Sequence, residues 1–137
     1  MYKIGKEKFE LTTFCLANAN KCMDFVEGAA EAISEGGKLG IYVIENEDKV
    51  LRFLAAVLVP KGEKWSPEIY QRNLKYFQNV EIPLQLVLKV VIDFFTNNKG
   101  LLIRLKYPQI LANLMDTVIE TLKLVMEKLT KEVERVK

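Results

Sequence analysis

Two thiols, Cys15 and Cys22, two serines, Ser34 and Ser66, and a few grouped carboxylates are the residues whose types could do chemistry in this chain. A thiol or hydroxyl nucleophile needs a base within hydrogen-bond reach. Histidine, the usual one, is absent from the 137 residues, and each serine suits a helix terminus better than a catalytic site. The two cysteines are seven apart, so on one continuous helix they share a face about 10.5 Å apart, too far to bridge. Lying among small residues, they are expected to be inert core thiols. Two cysteines without histidine cannot complete the common zinc ligand sets within one chain.

The carboxylates are no more specific. Glu45, Glu47 and Asp48 crowd the turn NEDK and could attract a divalent cation, but their spacing matches no calcium loop. A solvated turn is the expectation. Asp116 and Glu120, four apart, could share a proton or hold magnesium. They are expected to be a surface pair. Gly36, Gly37, Gly40, Gly62 and Gly100 lack the spacing of a phosphate-binding loop. The expectation is no catalytic residue, no metal and no cofactor.

Charge points weakly to nucleic acid. The balance is +2 overall, but from Lys61 to Lys106 eight basic residues stand against four acidic ones, interleaved with Trp65, Tyr70, Tyr76 and Phe77 and followed by Tyr107. Lysine and arginine neutralise phosphates and exposed aromatics stack on bases. If the segment 61–107 contacts RNA or single-stranded nucleic acid, the residues to test are Lys61, Lys64, Arg72, Lys75, Arg104 and Lys106. An ordinary charged exterior is the competing account, and Tyr70 and Phe77 also suit a core face.

The elements that would position these residues read as follows. A first helix is expected over 8–34, with Phe14, Cys15, Cys22, Phe25, Val26, Ala29, Ala30 and Ile33 near one side, stopped by Gly36 and Gly37. LGIYVIE, 39–45, reads as a strand, and 49–59 as its hairpin partner ending at Pro60. Read as a helix instead, 49–59 groups Val50, Phe53, Leu54 and Val57, capped by Asn46 or Asp48. PKGEKWSPE is a loop in which Ser66 caps a helix opened by Pro67 and running to about residue 78. Pro83 opens another.

That next segment, IPLQLVLKVVIDFF over 82–95, is too short and too interrupted to span a membrane, which takes about 20 apolar residues. Gln85, Lys89, Asp93 and Asn97 are four apart and form one polar stripe on a helix that is otherwise apolar. A core helix is expected, with no membrane insertion. Residues 1–10 are charged and lack the apolar stretch of a secretory signal, so a cytoplasmic location is expected.

LLIRLKY before Pro108 alternates as a half-exposed strand, and a long helix is expected over 108–136. Met115, Leu122, Leu129 and Val136 fall seven apart, as do Leu111, Val118 and Val125. Together they make an apolar seam about 40 Å long, interrupted by Glu132.

The reading is one α+β domain over 1–137, helix-rich with a small antiparallel sheet in the order α-β-β-α-α-β-α. An all-α fold is the alternative if 49–59 is helical. The expected function is a non-catalytic protein-interaction or small assembly subunit. It would act as a homodimer or with another protein, burying Val118, Leu122, Val125, Leu129, Val133 and Val136; nucleic-acid binding is the alternative. Abundant lysine and glutamate without histidine is compatible with a thermophilic source.

Overall fold

A computed structural model of the chain describes residues 1–99. Among them, five helices and a three-stranded antiparallel sheet form a helix-rich α+β arrangement. The class is the one expected, but the strands come from different residues. β1, Tyr2–Ile4, and β2, Glu7–Leu11, make an N-terminal hairpin, and β3, Leu58–Pro60, pairs with the other edge of β2. Tyr2, Ile4 and Phe9 are buried while Lys3 and Lys8 face solvent, the period-2 pattern of a strand packed on one side.

The hairpin corrects the expectation of a helix from residue 8. Its turn is Gly5–Lys6, and Gly5 has φ +62°, the positive φ that primed hairpin turns require. The site also lacks room for a side chain. The Tyr76 hydroxyl lies against Gly5, donating to the Ile4 carbonyl at 2.9 Å and accepting from the Lys6 N–H at 3.1 Å.

Helix α1, Leu16–Ser34, buries Cys22, Phe25, Val26, Ala29, Ala30 and Ile33 as expected. It ends ahead of Gly36 and Gly37, both with positive φ. Its start is fixed by Asn18, which is fully buried. The Asn18 side chain accepts from the Cys15 N–H at 2.8 Å and donates to the Thr13 carbonyl at 3.0 Å, so both its ends are satisfied.

Two further expectations are corrected. Residues 39–45 form helix α2, Leu39–Glu45, and Glu47–Val57 form helix α3, in place of a β-hairpin. In α2 the buried residues are Leu39 and Val43; a strand would put Ile41 on the same face as these two, whereas the helix turns it away and leaves it exposed. Tyr42 lies on Gly28 of α1, where a Cβ would collide with its ring, and its hydroxyl donates to the Phe25 carbonyl at 3.2 Å. In α3, Val50, Phe53, Leu54 and Val57 are buried together, as the helical alternative grouped them. Neither helix makes the chain all-α, because the sheet is built from 2–11 and 58–60.

Helix α4, Pro67–Gln78, starts as expected: the Ser66 hydroxyl accepts from the Ile69 N–H at 3.1 Å and Pro67 occupies the first turn. Helix α5, Leu84–Asn97, follows Pro83 and buries Val87, Val90, Val91, Ile92, Phe94 and Phe95. Among the described residues no helix is long and apolar enough to cross a membrane. The polar stripe of α5 is used in part. Asp93 accepts a hydrogen bond from the Tyr2 hydroxyl, and the Lys89 ammonium stands 5.8 Å from the Tyr2 ring centroid. These two members of the stripe both engage β1. The strand expected over 101–107 and the helix expected over 108–136 lie outside the described residues.

Backbone pairing leaves one carbonyl dependent on a side chain. The Thr12 N–H bonds the Val57 carbonyl and the Lys61 N–H the Lys8 carbonyl. In an antiparallel ladder such bonds alternate along the strand, so Leu58, opposite Leu11, turns its carbonyl away from β2. Buried Asn73 donates to it at 2.8 Å. Asn73→Ala is expected to lower unfolding free energy by about 1–3 kcal/mol, the cost of an orphaned buried acceptor, as read from the urea midpoint. A change within error would mean that another donor reaches Leu58.

Burial first, then the Asp93 carboxylate, pushes the Tyr2 phenol above its ordinary pKa; burial does the same for Tyr42 and Tyr70. A phenol held more tightly protonated in the folded than in the unfolded chain stabilises fully below the unfolded value of about 10 and loses this contribution as pH rises past it. Urea midpoints should therefore fall above about pH 10, less steeply in Tyr2→Phe. An equally steep fall in that variant would assign the effect to Tyr42 and Tyr70.

Candidate functional site

The residues expected to contact nucleic acid are only partly brought together. Lys61 and Lys64 are exposed in the loop before α4, and Arg72 and Lys75 are exposed one turn apart on α4. Arg72 is engaged with Glu63. The aromatics meant to stack on bases turn inward: Tyr70 and Phe77 are buried, and Trp65 and Tyr76 are half-buried. Phe77 meets Phe9 edge-on at 5.1 Å, and Trp65 lies 6.5 Å from Tyr70. Arg104 and Lys106 lie outside the described residues.

The candidates for chemistry separate as well. Cys15 is exposed at the N-cap of α1, not inside the helix as expected, and Cys22 is fully buried. Burial, helped by Asp24, pushes the Cys22 thiol up to about 12, so it stays protonated and unreactive near neutrality. Ser34 donates to the Glu31 carbonyl at 2.7 Å, a helix-end role like that of Ser66. Glu45 ends α2, while Glu47 and Asp48 occupy the first turn of α3, where the helix dipole favours carboxylates. No group of three or more His, Cys, Asp or Glu among the described residues could hold a metal ion. Asp116 and Glu120 lie outside them, as do all six residues expected at an interface, Val118, Leu122, Val125, Leu129, Val133 and Val136.

The feature that sequence reasoning missed is a groove of about 270 Å³ where α2, α3, the end of α4 and the start of α5 converge. Its walls include Val43, Val50, Leu54, Phe77, Ile82 and Val87, with Glu47 and Gln78 as polar members. Ile44, 66% exposed, and Leu84, 37% exposed, also line it, and Ile41, 58% exposed, stands one turn from Ile44 on α2. Single exposed apolar residues are ordinary on a protein surface; here Ile41, Ile44 and Leu84 cluster at one groove. The signal in the sequence was the all-apolar run Ile41–Ile44, which cannot bury every face of a seven-residue helix. Reading it as a strand of a hairpin concealed the surplus.

One carboxylate and one amide in an apolar hollow provide no nucleophile and no paired acid and base. No protein family, curated protein or solved structure matches the chain.

The rim and floor of the groove should respond differently to substitution. Ile44→Glu is expected to change stability by no more than about 0.5 kcal/mol. Leu54→Ala, at a fully buried position, should cost about 2–5 kcal/mol. Thermal denaturation of the two variants checks both; a large loss in Ile44→Glu would make Ile44 a core residue.

Proposed function

We propose that the chain is a non-catalytic protein-interaction or small assembly subunit that self-associates through apolar surfaces. The observation supporting this most directly is the groove with Ile44 and Leu84 open at its edge and Ile41 beside it. The C-terminal seam, with Val118, Leu122, Val125, Leu129, Val133 and Val136, is the matching surface in the sequence. Covering exposed aliphatic side chains removes apolar area from water at roughly 25 cal/mol per Å². Association entropy offsets much of that gain, so the assembly is expected to depend on concentration and to resist salt.

The inward-turned aromatics and the Arg72–Glu63 contact favour this reading over nucleic-acid binding through 61–107. Light scattering of the purified chain across protein concentration, at low and high salt, with the ultraviolet absorbance ratio recorded, tests the choice. The expected result is a nucleic-acid-free dimer that persists at high salt. A monomer at every concentration overturns self-association, and a nucleic acid released by salt puts Lys61, Lys64, Arg72, Lys75, Arg104 and Lys106 first.

A further inference from the structure

We infer that the outward face of the β1–β2–β3 sheet docks on the anionic headgroups of a lipid bilayer through a row of lysines, without insertion. In the strand register Lys3 of β1 lies directly opposite Lys8 of β2. Beyond the Phe9–Pro60 pair the next position opposite Lys8 is Lys61, whose N–H bonds the Lys8 carbonyl at 3.0 Å. All three are exposed, as is Lys6 in the hairpin turn. Neighbouring strands run about 4.8 Å apart, so the row sets three like charges across roughly 10 Å of sheet.

Like charges directly opposite one another destabilise a sheet. Protection of an open edge accounts for lysines on outer strands and so for Lys3 and Lys61, but Lys8 belongs to the central strand of the three. A solvated sheet face calls for polar residues, not for one sign in register. Carboxylates offset little of this charge. Glu7, opposite Ile4, falls on the other face by strand alternation, and Glu63 is engaged with Arg72. Glu10 shares the lysine face, half-buried, with its carboxylate accepting from the Gly62 N–H at 3.4 Å. Among the described residues no salt bridge includes any of the four lysines.

The chemistry of the face discriminates between anionic partners. Single-stranded nucleic acid is held by aromatic stacking as well as by charge, and the rings of this sheet, Tyr2 and Phe9, are buried on the opposite face. Arginine, whose fork pairs with individual phosphates, is absent from all three strands. A protein partner needs an apolar centre, and lysine is depleted at such interfaces. The apolar residue that the strands place here, Val59 opposite Glu10, is itself buried. Flexible point charges without an apolar or stacking component suit a bilayer, whose headgroups diffuse laterally to meet them. Each lysine near an anionic leaflet strengthens binding about fivefold.

Co-sedimentation of the full chain with vesicles of equal parts phosphatidylserine and phosphatidylcholine, and with phosphatidylcholine alone, tests the assignment. Binding is expected to the anionic vesicles only and should be lost at high salt. Lys3→Gln, Lys8→Gln and Lys61→Gln should each weaken it about fivefold, and the three together about a hundredfold. The triple variant should melt no lower than the wild-type chain, because its loss relieves repulsion; a melt well below wild type would mean that the row serves the fold, and would overturn the inference. Lys21→Gln, Lys38→Gln and Lys75→Gln combined give the same net charge and should bind more tightly than the row variant. Equal losses in the two triple variants would show that net charge alone acts and would overturn the assignment to this face. A wild-type chain that ignores anionic vesicles overturns the inference outright, and binding of oligothymidylate through Lys3, Lys8 and Lys61 in place of vesicles would give the face to nucleic acid.

Discussion

Phe53 is closed off from solvent between Phe25 of α1, at 4.6 Å between ring centroids, and Phe94 of α5, at 5.2 Å and nearly perpendicular. Phe94 in turn meets Phe14, ahead of α1, at 5.0 Å, again edge to face. Such contacts add about 0.5–1.5 kcal/mol each beyond the area they bury, and they fix where three helices cross. α3 packs against α1 on one flank and α4 on another. Almost all of its second half, Phe53 to Val57, is buried, and the chain continues directly from that half into β3. The position of the sheet, and of the groove beside Val50 and Leu54, therefore depends on this central helix.

Legibility in the sequence followed how local the deciding physics was. Ser66 followed by Pro67 announces a helix start through groups within four residues of each other, and α4 begins there. The polar stripe of α5 was equally readable, because a spacing of four has one helical meaning. The segment 39–57 was not. Its β-branched and aromatic residues favour a strand only when a pleated surface is there to receive them. Here the receiving surface is Gly28 and Phe25 of α1, which accept Tyr42 only from a helix lying close by. The hairpin escaped for the opposite reason: its signal, Tyr2, Ile4 and Phe9 around Gly5, is local but so short that the following helix pattern absorbed it.

The candidate site was less legible than the fold. The seam over 111–136 could be read as a heptad pattern, but the groove is assembled from residues between Val43 and Val87 on four elements, and no periodicity within any one element reveals it. The basic and aromatic segment looked more like a site because its residues are adjacent in sequence. Folding separates them: the aromatics complete the packing around Phe9 and Tyr70 while the lysines remain outside.

Three polar side chains among the described residues join distant parts of the chain through hydrogen bonds. Asn73 ties α4 to β3, Tyr76 ties α4 to the hairpin turn, and Tyr2 ties β1 to α5. Each joins the sheet to a helix that borders the groove. A shift of α4 or α5 toward the groove would release one of these hydrogen bonds, at about 1–3 kcal/mol for each buried group left unpaired. The same bonds that join the sheet to α4 and α5 therefore hold two of the helices bordering the groove in place.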